Sequence, residues 1–264
     1  MIITLTTDFG LQDPYVGLIK GVILGIAPTV ATVDLSHQVP PQDVLAGAWV
    51  LESAVGVFPV GTIHLAVVDP GVGSRRRPVA IEAADSLWVG PDNGLFSTIL
   101  TGQAVIRAVA LTDPQFHRGP VSATFQGRDI FAPVAAHLAN GVPLHDLGDP
   151  VTDLVRLDLP KPIFLDNALK IHVLRIDRFG SLITDLSLPV YEGWKHSVPG
   201  QQILVIIADT QIRGICRTFA EVEQGDPVAY FGSTGRLEVA IRNGSAAERF
   251  NVKQGAVLEI MMIN

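Results

Sequence analysis

The sequence predicts a chain in two parts: an α/β region with a mainly parallel sheet flanked by helices, then an antiparallel β region, barrel or sandwich. Three observations predict it. Apolar strand and helix patterns alternate from Ile2 to Asp69. A Pro- and Asp-rich stretch without a sustained period follows at residues 141–167. Beyond it, runs of β character recur every 10–15 residues or so, separated by glycine-containing turns. The division is an α/β domain at 1–140, a linker at 141–167 that wraps it, and a β domain at 168–264. A chain of 264 residues can bury the cores this requires.

Each element has its own justification. "IITLTTD" reads as a strand. From Tyr15, apolar residues recur at Leu18, Ile19, Val22 and Ile26, one face of a helix. Pro14 suits its first turn and Pro28 lies beyond its end. "TVATVDLS" is the next strand, "DVLAGAWVLESAVGVF" the next helix and "TIHLAVVD" the third strand. That alternation implies right-handed crossovers and a largely parallel sheet. "PVAIEAADSLWVGPDNG" adds a hairpin, and "GRDIFAPVAAHLANG" a last helix with Asp129 at its start and Gly141 at its stop. Pro133 limits where that helix begins. In the second half, "LKIHVLRIDRFGSLITDL", "QQILVIIA", "TQIRGICRTFAEV", "PVAYFGSTGRLEVAIRN" and "AVLEIMMIN" carry the β character.

Composition excludes several classes. A net charge of −7 lacks the basic face of a nucleic-acid binder. The single cysteine, Cys216, allows neither a disulfide framework nor a thiolate metal site and reads as a small buried residue. "MIITLTTDFG" has no basic region or long apolar run, so no signal peptide is expected. No segment reaches the roughly 18 apolar residues of a membrane span. A soluble cytoplasmic protein is expected. None of the histidines forms a close pair at helical ligand spacing, and His37 and His64 read as hydrogen-bonded structural residues.

The chemistry gathers at the strand ends. The first three strands end "TTD", "TVD" and "VVD", which places Asp8, Asp34 and Asp69 on the carboxyl edge of the sheet, where open α/β sheets bind ligands. Each alone is equally suited to capping a helix or bracing a turn. Together, with Asp13 close by, they point to metal binding, ribose recognition or the positioning of an attacking oxygen. "TTDFGLQD" is similar to the aspartate-rich start of calcium-dependent nucleoside hydrolases, but Thr6 and Pro14 stand where further carboxylates are wanted. "VVDPGVGSRRRP" sets Asp69 one tight loop before Arg75, Arg76 and Arg77, as a solvated cluster or a reacting pair.

"TTDFGLQDPYVGLIKGVI", "VDLSHQVPPQDV", "VVDPGVGSRRRP", "VGPDNGLFS", "TFQGRDIFAPVAAHLA" and "STGRLEVAIRNGSA" together resemble the S-adenosyl-L-methionine hydroxide adenosyltransferases, hydrolase relatives of fluorinase and chlorinase. The resemblance runs in order along the whole chain. It implies an α/β domain joined by a long linker to a β-barrel, and homotrimers whose sites lie between the first domain of one subunit and the second of its neighbour. It implies cleavage of S-adenosyl-L-methionine to adenosine and methionine by water or hydroxide attack at ribose C5′, without metal or cofactor. It assigns catalysis to Asp69, Arg76 and the position of Gln126. It assigns the ribose hydroxyls to Asp8, the methionine end to Asp13 and Asp177, packing beside sugar and base to Phe125, and the adenine edges to the loop of Arg242 and Asn243. Ser181 stands where relatives often carry Asn, in ribose or amino-acid contact. Halide-using relatives carry Tyr and a small polar residue where this chain has Asp69 and Gly127. A carboxylate beside the nucleophile repels an anion, so halide chemistry is not expected.

One departure bears on turnover. The family motif "TFHGRD" has histidine where this chain has Gln126, and glutamine holds a water without accepting its proton at neutral pH. The expectation is a hydrolase impaired at that position. The alternatives are a non-catalytic adenosine or S-adenosyl-L-methionine binder on the same fold, and a metal-dependent nucleoside hydrolase.

Overall fold

Along β1 (Ile2–Thr7), Ile3 and Leu5 alternate with Thr4 and Thr6, and all four are buried. A strand closed on both faces is what the centre of a parallel sheet requires. The structure, a computed structural model, describes residues 1–102, 104–198 and 202–263, in two units, Met1–Leu159 and Pro160–Asn264.

In the first unit the chain continues through α1 (Tyr15–Ile26), β2 (Ala31–Ser36), α2 (Val44–Glu52), β3 (Ile63–Val67), β4 (Pro78–Ala83), β5 (Ser86–Pro91), α3 (Ser97–Gly102), β6 (Val105–Ala110) and α4 (Ala132–Ala139). The sheet order is β2-β1-β3-β5-β4-β6, parallel from β2 to β5 and antiparallel across β4 and β6. Consecutive strand residues face opposite sides. Leu65 therefore packs with Ile19, Ile23 and Val134 from α1 and α4, while Ala66 packs with Leu51 and Ile99 from α2 and α3. β1 and β3 end level, Thr7 opposite Val67, so the residues that follow them emerge side by side. Because β1 leads to one side of the sheet and β2 crosses back to the other, that pair of ends is the switch point of the sheet.

Four readings change. Helix α2 stops at Glu52 rather than running to Phe58, because Ala54, Val55 and Val57 donate to carbonyls three residues back and Gly56 turns at φ +71°. Asp129 does not start α4. It lies within a single wide turn, Gly127–Phe131, and is fully buried. Asp34 is not on the carboxyl edge: it sits inside β2, opposite Leu5. Cys216 is half-buried rather than buried. Burial, then nearby Glu221, raises its thiol pKa, which keeps it an inert thiol.

The segment after α4 packs on the first unit. Leu144 and Leu147 enter the core shared by α1 and α4, Val151 N donates to Ala108 O (2.9 Å), and Leu157 N donates to Ser97 Oγ (2.7 Å).

The second unit comprises β7 (Ile163–Phe164), β8 (Ala168–Ile176), β9 (Leu182–Ser187), α5 (Leu188–Ser197), β10 (Gln202–Ile207), β11 (Thr210–Arg213), β12 (Pro227–Phe231), β13 (Arg236–Ile241), α6 (Ala246–Phe250) and β14 (Val257–Ile263). Its strands run antiparallel in the order β11-β10-β14-β8-β9-β13-β12, with β7 beside β8. Beyond β11, Cys216 N donates to Ala229 O on β12 (2.8 Å), which draws the two edges together and makes the sheet a nearly closed barrel rather than a sandwich. Leu169, Ile171 and Val173 alternate along β8 and pack in the barrel core with Val205, Val239 and Ile260.

Candidate active site

The loop after β3 explains the clustered arginines. Val72 N donates to Asp69 O and Ser74 N to Gly71 O, two tight turns that fold the chain back on itself. Gly73 has φ +78°, and a Cβ there would sit 2.9 Å from Ala123 O, so neither the turn nor the approach of that neighbouring loop tolerates a side chain. The reversal returns Arg76 to Asp69. Arg76 Nε donates to both carboxylate oxygens at 2.9 Å, and Nη2 donates to Asp69 Oδ2 and, at 2.5 Å, to Gln126 Oε1. Both charged side chains are more than nine-tenths buried, and the guanidinium lies 5.4 Å from the Phe131 ring centroid. The other two arginines go elsewhere. Arg77 pairs with Asp92 and Asp153, bracing the segment after α4, and Arg75 is exposed.

Gln126 is orientated by that contact. A guanidinium only donates, so the amide oxygen must face it, leaving Nε2 to donate to a ligand. The segment carrying Gln126 is held by Asp129, whose oxygens accept from Arg118, Arg128 and the Ser122 amide. Burial alone would raise the Asp129 pKa, but these donors together hold it below the usual carboxylate range. Arg128 in turn lies over the Phe125 ring at 5.0 Å.

Asp8, Asp69, Phe125, Gln126 and Gly127 line one cavity of about 420 Å³ at the ends of β1 and β3. Asp8 directly follows β1 and accepts from Gln42 N at 2.8 Å, and Gln42 holds a left-handed φ of +67°. Non-glycine residues adopt that region at a cost, and such strain clusters at binding sites. Phe9, Tyr15 and Phe125 meet edge to face, centroids 5.3–6.2 Å apart, as an aromatic wall. Asp13 is exposed and is not among the residues lining this cavity. Sequence reasoning missed Phe9, Tyr15 and Gln42. An aromatic directly after a strand-end aspartate was the available signal for Phe9.

The second unit holds a separate cavity of about 540 Å³, lined by Asp177, Ser181, Arg242 and Asn243 together with Phe179, Phe219 and Tyr230. Asp177 Oδ1 accepts from Phe179 N and Ser181 N, closing the turn between β8 and β9. Arg242 donates to the Val222 carbonyl at 2.5 Å, and Asn243 takes a left-handed φ of +58°. Tyr230 is pushed up to about 12, chiefly by burial and then by Glu238. Burial likewise raises the Glu238 carboxyl. The three aromatics escaped sequence reasoning because they sit on separate strands and loops. Among the described residues, no group of three or more His, Cys, Asp or Glu is placed to hold a metal, and no helix is long and apolar enough to cross a membrane.

An α/β unit with a buried carboxylate–guanidinium pair at its switch point, followed by a β-barrel with its own polar and aromatic pocket, defines a two-domain class of ligand-processing protein. The SAM hydroxide adenosyltransferase N-terminal domain matches residues 3–148 and the corresponding C-terminal domain matches residues 171–259. The chain belongs to the SAM hydroxide adenosyltransferase family. It is 43% identical to the (R)-S-adenosyl-L-methionine hydrolase of Thermus thermophilus over 266 residues, 97% of each chain. It is 41% identical to the (R)-S-adenosyl-L-methionine hydrolase of Salinispora tropica, covering 98% of this chain and 97% of the relative. A crystal structure of an uncharacterized conserved protein from Thermotoga maritima superposes with TM-score 0.91 at 32% identity, over 99% of this chain and 100% of the other.

Proposed function

We propose that the protein hydrolyses S-adenosyl-L-methionine to adenosine and L-methionine. The observation that carries this is the Arg76 guanidinium, behind the cavity wall, joining the Asp69 carboxylate to the Gln126 amide, both of which line the cavity with Asp8. The likeness to two (R)-S-adenosyl-L-methionine hydrolases along nearly the whole chain supports the same reading.

The chemistry needs little beyond alignment. A water oxygen attacks ribose C5′ as the C5′–S bond breaks, and methionine leaves with the electron pair as a neutral thioether. The water loses one proton. Arg76 stabilises the developing hydroxide and Asp69 is the proton-accepting side chain of the three. Gln126 Nε2 donates to the attacking oxygen and fixes its direction. Asp8 receives the vicinal ribose hydroxyls, and Phe125 with Phe9 and Tyr15 packs against the sugar. In the second unit, Asp177 and Ser181 take the amino-acid end, with Asp13 supplementing the charge, and the Arg242–Asn243 turn takes the adenine edge. Gly127 forms the wall beside the reacting carbon, next to Phe9 and Phe125. We place the enzyme in the cytoplasm as a homotrimer, with sites completed between subunits, which light scattering tests.

Incubation with S-adenosyl-L-methionine, with and without chelator, followed by chromatography, tests the reaction. Adenosine and methionine in equal amounts, unaffected by chelator, are expected. Free adenine, or turnover abolished by chelator, contradicts it. Gln126 favours one second reading, a binder that releases no product, and absence of turnover with retained affinity would establish it.

A further inference from the structure

The segment after β2 grips the Asp8 loop through contacts that the chemistry above leaves unused. Gly10, at φ +66°, donates its N–H to the His37 carbonyl at 2.8 Å. Thr7 Oγ1 lies 2.8 Å from His37 Nδ1, with both residues buried. On its far side His37 Nε2 lies 3.2 Å from Asp34 Oδ1, and Asp34 Oδ2 receives Lys20 Nζ at 2.6 Å. Asp34 is the one aspartate of the "TTD", "TVD" and "VVD" set that the active site does not take up.

The chemistry gives these contacts a direction. Asp34 Oδ1 faces Nε2 at ion-pair distance, and a carboxylate only accepts, so a proton is favoured on Nε2 and Nδ1 is left to pair with the Thr7 hydroxyl. The Thr7 oxygen in turn accepts the Phe9 N–H at 3.3 Å. Thr7, Phe9 and Gly10, the residues around Asp8, are thereby all tied to His37, while Asp8 itself is tied to the Gln42 amide on the same segment. A carboxylate that must meet two vicinal hydroxyls at once needs placement to within about 0.5 Å, which such a surrounding set of bonds provides.

We infer that His37, braced by its contact with Asp34, is a positioning residue that fixes Asp8 for recognition of a ribose cis-diol. The inference rests on the ribose role proposed for Asp8. A histidine serving only core stability would affect every nucleoside alike, whereas a positioning role acts through the diol.

Calorimetry on the full-length protein with adenosine and with 2′,3′-dideoxyadenosine separates these. His37→Ala and the near-isosteric Thr7→Val are expected to weaken adenosine about tenfold and to change dideoxyadenosine by less than about twofold. His37→Gln, whose amide can both accept from Thr7 and donate to Asp34, restores most of the loss. Equal weakening of both ligands overturns the inference, as does unchanged adenosine affinity in His37→Ala and Thr7→Val when Asp8→Ala loses it. Unchanged adenosine affinity in Asp8→Ala removes the ribose role itself, and the inference falls with it. Should His37→Ala fail to fold, Thr7→Val and His37→Gln decide the matter.

Discussion

The two cavities are built by different means. In the first unit, parallel strands β1 and β3 end together and deliver Asp8 and Asp69 from fixed backbone, and the charge at Asp69 is met at once by Arg76. In the second unit the cavity is lined by turns together with residues of β12 and β13, its Asp177 spends one oxygen on bracing its own turn, and the buried Glu238 beside its Tyr230 is shifted toward the neutral form. Parallel strand ends suit a reacting charge because they hold it without adjustment. Turn-built pockets suit recognition, where backbone groups and aromatic faces do the reading. Chemistry is thus expected to depend on the first unit and affinity to be shared by both.

The sharpest break of that comparison is Arg76→Ala. It removes the donor to both Asp69 and Gln126 and should lower the hydrolysis rate about 10³-fold, with adenosine affinity within about threefold, read by chromatography and calorimetry. Affinity lost as steeply as rate would erase the distinction.

Acid should also separate the units. His64 is buried, stacked 4.1 Å from Trp88 and bonded to Thr4, and burial lowers its pKa to about 4 from 6.5. The neutral ring is the folded form, so its contribution is complete above about pH 6.5 and is lost as pH falls toward 4, roughly 3 kcal/mol in all. Glu238 moves the other way: its raised pKa gives a contribution present in acid and lost as pH rises through the folded value. Hydrogen exchange of the full chain should therefore show the first unit loosening before the second between pH 6.5 and 4. His64→Gln should reduce that difference, and an unchanged difference would exclude His64 as its source.

Gln126→His is expected to raise the rate at least about tenfold by adding a proton acceptor, with substrate affinity little changed. If the native enzyme is already fast and histidine adds nothing, Asp69 and Arg76 activate the water unaided. The smallest effect is expected from Ser181→Ala in the second unit. It should raise KM about three- to fivefold and leave kcat alone, the cost of one neutral hydrogen bond. A fall in kcat instead would place chemistry in the barrel.

Much of this was legible in sequence where pattern and chemistry coincide. Periodicity located β1, α1, β2, β3 and the β4–β5 hairpin, and the motif around Asp69 and Arg76 located the ion pair. What escaped depends on contacts distant in the chain. Asp34 looks equivalent to Asp8 and Asp69 in sequence, yet pairing opposite Leu5 keeps it inside β2. Asp129 looks like a helix start, yet four donors from Arg118, Arg128 and Ser122 hold it buried in a wide turn. Helix α6 escaped although Ser245 and Glu248 form its capping pair, Ser245 Oγ accepting from Glu248 N at 3.1 Å. Helix α5 hides among strands because only Tyr191 and Trp194 mark its buried face.

The central claim is that water held at Asp69 and Arg76 attacks ribose C5′. Turnover of S-adenosyl-L-methionine in ¹⁸O-water, with mass spectrometry of the products, tests it most directly. The account predicts adenosine carrying the heavy oxygen at its 5′-hydroxyl, unlabelled methionine, and both products formed about 10³-fold more slowly in Arg76→Ala. Unlabelled adenosine, or label in homoserine or in ribose at C1′, would contradict it.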